Sequence, residues 1–403
     1  MASGRVSISG IEITGGTNRG GIENDASLSL SGVLISGNTC TVAGGGGVYN
    51  GSGASLTLEQ VTISSNLGAG YGGAGLYNDG TVTLRDVTIE NNTSEGGGGG
   101  FSNQNGGTAH LMNVTVSQNV SAFGGAGIDN DNNATITLDN VTVANNTAGY
   151  GGGGVYNRSN ATITNTTISG NTAPGGAGIY NASGHAVTVS NTIVARNILS
   201  GTGNTGPDAF GSINSLGYNL IGQTDGSTGW NTYDLTGTAS KPLDPKLSPL
   251  GNYGGPTQTM ALLPGSPALN AGWSALAVDG NDNPLTTDQR GLPRIYGPSV
   301  DIGAYESQPP VLAGDVNHDG TVNLSDLLLL TRDFGKTTPI YEGGDLDGDG
   351  TVNLSDFLIL TRNFGKTATP STLPSAPAVW VPSSQPASGA ITRRLTTRRS
   401  AAP

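Results

Sequence analysis

Gly72-Gly-Ala-Gly-Leu-Tyr-Asn78, then Thr81-Val-Thr-Leu84, Val87-Thr-Ile89 and Asn92, is one turn of a pattern that fills the first half of the chain. The opening Gly-Gly-Ala-Gly-apolar-Tyr/Asp-Asn segment recurs with little change. Its last residue falls at Asn24, Asn50, Asn78, Asn103, Asn130, Asn157 and Asn181, at spacings of 26, 28, 25, 27, 27 and 24 residues. A second column closes the strand pairs at Asn66, Asn92, Asn119, Asn146, Asn171 and Asn197. Within each strand, alternation directs Val, Ile and Leu to one face and Thr to the other.

A period near 26 residues, with three short strands and no helical spacing, fits a coil of a parallel β-helix better than a leucine-rich or propeller repeat. The fold class is therefore mainly β. Glycines bend the backbone between faces at positive φ, and Asn at a fixed corner bonds the coils above and below. Seven coils ~4.8 Å apart make a rod on the order of 35 Å long. Asn-x-Thr triplets such as Asn91-Asn92-Thr93 coincide with ladder positions and read as rungs rather than glycan acceptors. Over residues 1–198 the chain resembles the right-handed β-helix, pectin-lyase-like superfamily, in particular repeats of bacterial surface proteins.

Composition agrees. Glycine supplies 67 of 403 residues, more than twice its usual share, and charged residues only 11%, less than half of theirs. A net charge of −12 argues against nucleic-acid or anionic-membrane partners. No stretch approaches 18 apolar residues, so no membrane span is expected, and the single Cys40 excludes an intrachain disulfide framework. Met1-Ala-Ser-Gly leads straight into strand-like sequence without a signal peptide, and the expectation is that the true start lies upstream.

From Leu199 the repeat lapses. Residues 199–307 resemble the choice-of-anchor Q domain through Asn214-Ser-Leu-Gly-Tyr-Asn-Leu-Ile-Gly, Asn252-Tyr-Gly-Gly-Pro-Thr-Gln-Thr, Gly265-Ser-Pro-Ala-Leu-Asn-Ala-Gly, Thr287-Asp-Gln-Arg-Gly and Asp301-Ile-Gly-Ala-Tyr-Glu. That resemblance implies a surface protein and no reaction. The segment is expected to cap the last coil, and Asp288, Arg290 and Asp301 read as a buried ion-pair network rather than a catalytic cluster.

After a linker at 308–313 the composition turns to Asp and Leu. Gly314-Asp-Val-Asn-His-Asp-Gly-Thr-Val-Asn-Leu-Ser-Asp is repeated thirty residues later as Gly344-Asp-Leu-Asp-Gly-Asp-Gly-Thr-Val-Asn-Leu-Ser-Asp. Calcium takes six to eight oxygens, and a twelve-residue loop supplies them from positions 1, 3, 5, 7, 9 and 12, with Gly at 6 for the turn. Loop one offers Asp315, Asn317, Asp319, the Thr321 carbonyl, Asn323 through a water, and Asp326. Loop two offers Asp345, Asp347, Asp349, the Thr351 carbonyl, Asn353 and Asp356. Two calcium ions are expected, the second loop binding more tightly because it carries four carboxylates against three.

Proline and glycine before each loop forbid an entering helix. An exiting helix remains, with Leu327, Leu330 and Phe334 on one face and Gly335 as its stop. A loop plus one helix, duplicated over 314–367, resembles a type I dockerin, which implies docking on a cohesin-like surface protein. Dockerins dock through loop positions 10 and 11, usually a polar Ser/Thr pair; here these are Leu324-Ser325 and Leu354-Ser355. Residues 368–403, rich in Pro, Ser and Ala and ending in Arg393-Arg394 and Arg398-Arg399, read as a disordered basic tail.

Within the coils, residues with catalytic chemistry are sparse: Asp129 and Asp131 near one corner, Arg85-Asp86, Arg158, His110 and His185. They do not reproduce the motif set of a polygalacturonase, and Asp129 stands where other coils carry Tyr. The function read from sequence is a secreted or cell-surface protein tethered by a calcium-dependent dockerin, acting in adhesion, carbohydrate binding or surface assembly. The alternative is a dockerin-bearing polysaccharide lyase or O-glycosyl hydrolase. Two carboxylates and an Arg sharing a groove on one face of the β-helix would favour the alternative.

Overall fold

A coil that closes on itself must turn its corners without leaving buried peptide groups unpaired. The computed structural model describes residues 5–367 apart from 43, 70–71, 202–205, 309–311, 318–320, 338–343 and 348, and shows how the corners are made. One coil runs through strands Leu76–Asn78, Thr81–Arg85, Thr88–Glu90 and Thr93–Ser94. Equivalent strands stack in parallel as sheets 1 to 4, in that order, with nine, nine, ten and seven strands among the described residues. A coil thus has four strands, one more than the repeat suggested. The extra one is two residues long and follows the Asn of the second column.

Glycine is not the main corner residue either. A single left-handed residue turns sheet 2 into sheet 3, for example Asn113, Asn140, Asn165 and Asn191 at φ of 46–56°. Asn tolerates this conformation because its short amide bonds locally. Glycine is required on entry to sheet 1. Gly125 has φ +62°, and a Cβ there would lie 2.7 Å from the Asp129 Cβ.

Register keeps like on like. Leu58, Leu84, Leu111 and Leu138 occupy one inward row, each fully buried, and Leu56, Val82, Ala109 and Ile136 the next. Each large buried aliphatic contributes about 1.5–3 kcal/mol. The two asparagine columns line the corners. In the first, each Nδ2 donates to the next Oδ1 at 2.6–2.9 Å from Asn24 to Asn181. The second begins one coil earlier than the repeat indicated, at Asn38, and runs at 2.9–3.0 Å to Asn197.

Asn suits a rung because its amide both donates and accepts. The last rung needs only to accept, and there the second column ends on a carboxylate: Asn197 donates its backbone N–H and Nδ2 to Asp208 Oδ1 at 3.0 and 2.9 Å. Asp234 receives the same pair of bonds from Asn219. In Asn91-Asn92-Thr93 the rung is Asn92, fully buried within its column, whereas the acceptor position of the triplet is Asn91, an exposed corner residue at φ +56°, so the ladder itself does not close that position to a glycan.

The parallel pairing does not stop at residue 198. Ala209–Ser212, Asn214–Gly217 and Leu220–Ile221 extend sheets 1, 2 and 3, and Leu235–Thr236 adds a further strand to sheet 3. The segment from Leu243 to Glu306 then turns back along the outer face of sheet 3. Its route explains a change in burial: Thr62–Ser64 and Thr88–Glu90 leave their outward residues part-exposed, whereas Thr115–Ser117, Thr142–Ala144, Thr167–Ser169 and Ile193–Ala195 are buried on both faces. Ala144, Ile193 and Ala195 join Leu247, Met260, Leu262, Ala268 and Ile302 in a second core. Gln289, fully buried, donates to Thr115 Oγ1 at 3.0 Å and accepts from Thr142 at 2.6 Å. Residues 199–307 therefore both extend the rod and brace its flank, rather than only capping its end.

Arg290 grips Asp288 through Nε and Nη2 at 2.8 and 2.7 Å, Glu306 N–H donates to the same carboxylate, and Asp301 accepts from Asn270 and Ser307. All are buried. The cluster is a structural network, as the sequence suggested. The basic tail expected at 368–403 lies outside the described residues.

Candidate functional site

In the C-terminal module the two halves repeat each other at the loop and helix start and differ at the helix end, where Asp333 pairs with Arg332 and Lys336 and Asn363 stands at the equivalent place. Helices α1 (Leu324–Asp333) and α2 (Leu354–Asn363), the only α-helices among the described residues, each begin with a capping box. Asn323 Oδ1 accepts from Ser325 N–H at 2.7 Å, and Asn353 does the same for Ser355. Asp326, fully buried, accepts from Val316, Asn317 and Asn323 N–H at 2.8, 3.0 and 2.9 Å. Asp356 accepts from Leu346, Asp347 and Asn353 at 2.6, 3.1 and 2.7 Å.

Position 12 thus ties both ends of its loop to the helix start. An Asp reaches these amides, which accounts for Asp where a calcium-sensor loop has Glu. Both carboxylates keep lone pairs for a cation.

The halves also interlock. Val322, Leu330, Val352 and Leu360 form one core. Gly335 N–H donates to Val352 O at 2.7 Å, and Gly365 N–H to Val322 O at 2.8 Å. Gly344, at φ +101°, lies where a Cβ would come within 3.1 Å of Leu330 Cα; Gly314 bears the same relation to Leu360 at 2.9 Å. Phe334 does not share the inward face of α1 with Leu327 and Leu330; it is the C-cap and is 48% exposed.

In loop two, oxygens of Asp345, Asp347 and Asp349 all lie within 4.8 Å of one another. Desolvation, then the charges of Asp356, Asp349 and Asp345, raises the Asp347 carboxyl above its usual range. Asn353 Nδ2 donates to the Thr351 carbonyl at 3.1 Å and to Asp349 at 3.1 Å. A hard oxygen-only set of this charge fits calcium. In loop one, Asp315, Asn317, Thr321, Asn323 and Asp326 take equivalent places, and Asp319 lies outside the described residues.

Residues 313–365 match the dockerin type I domain. Type I dockerin domains bind calcium and dock on cohesin-type partners, and dockerin proteins are extracellular or at the cell surface. No curated protein and no solved structure matches the chain. No helix among the described residues is long and apolar enough to cross a membrane. On this dockerin, Leu324 and Leu328 of α1 are 60% and 62% exposed, and Leu354 and Leu358 of α2 are 62% and 44% exposed.

Of the candidates within the coils, Asp129, Asp131 and Arg158 come together in a groove on sheet 1. Arg158 pairs with Asp131 and lies over the Tyr156 ring, 5.2 Å from its centroid. Asp129 Oδ2 accepts from Gln104 at 3.0 Å. Burial pushes the Asp129 carboxyl up to about 7, against the pull of Arg158. His110 lies elsewhere, on sheet 2, bonded to the fully buried Asp139 at 2.7 Å, and His185 and Arg85-Asp86 do not line the groove. Missing from the sequence candidates were Tyr77, Gln104, Phe123, Tyr150 and Tyr156 of its walls. The Tyr-to-Asp change at 129 was the available signal.

Proposed function

We propose that this chain is an extracellular component of a cohesin-anchored assembly, docking through residues 313–365 with one calcium ion in each loop and displaying the β-solenoid as its cargo. The observation that carries the reading is the duplication of loop, capping box and helix start, which presents Leu324-Ser325 and Leu354-Ser355 in the same setting. Each copy offers Leu at loop position 10 and another Leu one turn on, beside Ser325 or Ser355, so the recognition face is more apolar than the usual polar pair. Loop two, with four carboxylates, is the tighter calcium site. Calcium relieves the repulsion among these carboxylates, and its removal loosens the module.

The test is capture of cohesin-type and other surface proteins by the full chain, in calcium and in chelator, with Leu324→Asp, Leu354→Asp and the double variant. Calcium-dependent capture, weakened in the double variant more than in either single one, is expected. Capture that ignores chelator, or no partner in either condition, would refute the docking role.

A second reading, cleavage of a polysaccharide by the solenoid, is favoured by the placement of Asp129, Asp131 and Arg158 in one groove. Release of shorter saccharides from a polysaccharide panel, lost in Asp129→Asn, would support it; no release from any member would remove it.

A further inference from the structure

The outward side chains of sheet 1 form a column that climbs the rod: Tyr49, Tyr77, Ser102, Asp129, Tyr156, Tyr180 and Phe210. Its rings stack wherever they are adjacent. Tyr49 and Tyr77 lie 5.6 Å apart, Tyr156 and Tyr180 4.9 Å, and Tyr180 and Phe210 4.9 Å, with interplanar angles of 20–25°. At Ser102 and Asp129 the column omits two rings. Tyr77 and Tyr156 are then three coil spacings apart, about 14 Å, and between them opens a cavity of about 740 Å³. That lies within the range of about 300–1,000 Å³ typical of small-ligand pockets.

We propose that this gap binds a neutral saccharide, its rings taking the places left by the two missing aromatic side chains between Tyr77 and Tyr156. The ends of the gap are aromatic, and Phe123 and Tyr150 at the lip are 55% and 58% exposed. Such rings suit the C–H faces of a pyranose. The floor is polar and linked: Asn132 donates to Gln104, and Gln104 to Ser102 and Asp129, each at 3.0 Å. A flat apolar ligand would leave these groups unmatched, whereas sugar hydroxyls both donate and accept.

Asp129 is 6% exposed, and its Oδ1 is buried without a hydrogen-bond partner among the described residues. Two carboxylates face one guanidinium that Asp131 already engages, so the electrostatics oppose an acidic sugar.

The proposal does not depend on the docking reading, which its failure would leave untouched. The full chain is titrated calorimetrically with neutral gluco-, xylo-, manno- and galacto-oligosaccharides and with galacturonate oligomers. At least one neutral oligomer is expected to bind, and more tightly than the uronates. Ser102→Tyr restores a ring of the column and should weaken binding at least about tenfold without lowering the melting temperature. Should that variant unfold, Phe123→Ala, at the exposed lip, carries the test with a loss of severalfold. No neutral oligomer binding at millimolar concentration, wild-type affinity in the folded variant, or preference for the uronates would overturn the proposal.

Discussion

Replacing Asp356 by Ala removes the acceptor of three backbone amides at once, those of Leu346, Asp347 and Asn353. A hydrogen bond to a charged acceptor is worth about 1.5 kcal/mol at the low end, so the loss comes to roughly 4–5 kcal/mol. That exceeds what a core of four buried side chains can absorb in a module this small. Because the halves share that core and exchange backbone bonds through Gly335 and Gly365, the damage should not stay in the second loop. The variant is expected to speed amide exchange about a thousandfold in both α1 and α2, leaving the solenoid strands protected. Asp326→Ala should do the same. The assay is hydrogen exchange by mass spectrometry on the full chain in saturating calcium. Loss of protection confined to α2 in the first variant, or to α1 in the second, would refute the argument that the duplicated halves fold as one.

Three further outcomes follow from the buried polar groups. Burial raises Asp129 to about 7, Glu306 to about 8 and Asp208 to about 6, from unfolded values of 3.8, 4.5 and 3.8. The folded state holds protons that the unfolded chain has released, so these groups should make stability fall as pH rises from about 4 to about 8. Melting temperatures across that range should drop, and Asp129→Asn should flatten part of the drop. Asn119→Asp puts an acceptor where a rung must donate to Ile89 O and Asn146 Oδ1, and should cost about 3 kcal/mol or more near neutral pH by denaturant unfolding. Asp208→Asn, at the end of the same column, should be neutral or slightly stabilising at pH 8, because the rung there only accepts.

The repeat was legible because a stacked coil imposes the same demand on each turn: an inward aliphatic row and an Asn at each ladder corner. The calcium loops were legible for a related reason, since ligand spacing is set by the ion. Less visible were features that depend on what packs from outside. The outward row of sheet 3 passes from Ser64 and Glu90 to Ala144 and Ala195 as the return segment covers it, but small residues on a Thr-rich sheet do not announce a partner. Asp208 and Asp234 end their columns as carboxylates, and nothing local separates them from ordinary loop aspartates. The groove was marked only by Asp129 in a Tyr position; its meaning lies in the neighbouring coils, where the rings stack.

The return segment also changes how such a rod can assemble. A bare solenoid contacts only its nearest neighbours, so it can grow coil by coil and fray from either end. Here the stretch from Thr257 to Ala304 bonds to coil residues 129 to 174 positions earlier in the chain, through Asn113, Thr115, Asn140, Thr142, Asn165 and Thr167. Those coils cannot reach their final stability until the chain has emerged past Glu306, and loop closure over that separation makes the last step slow. A chain still being made or exported therefore carries half-finished coils, and the rod locks only when its own far end arrives.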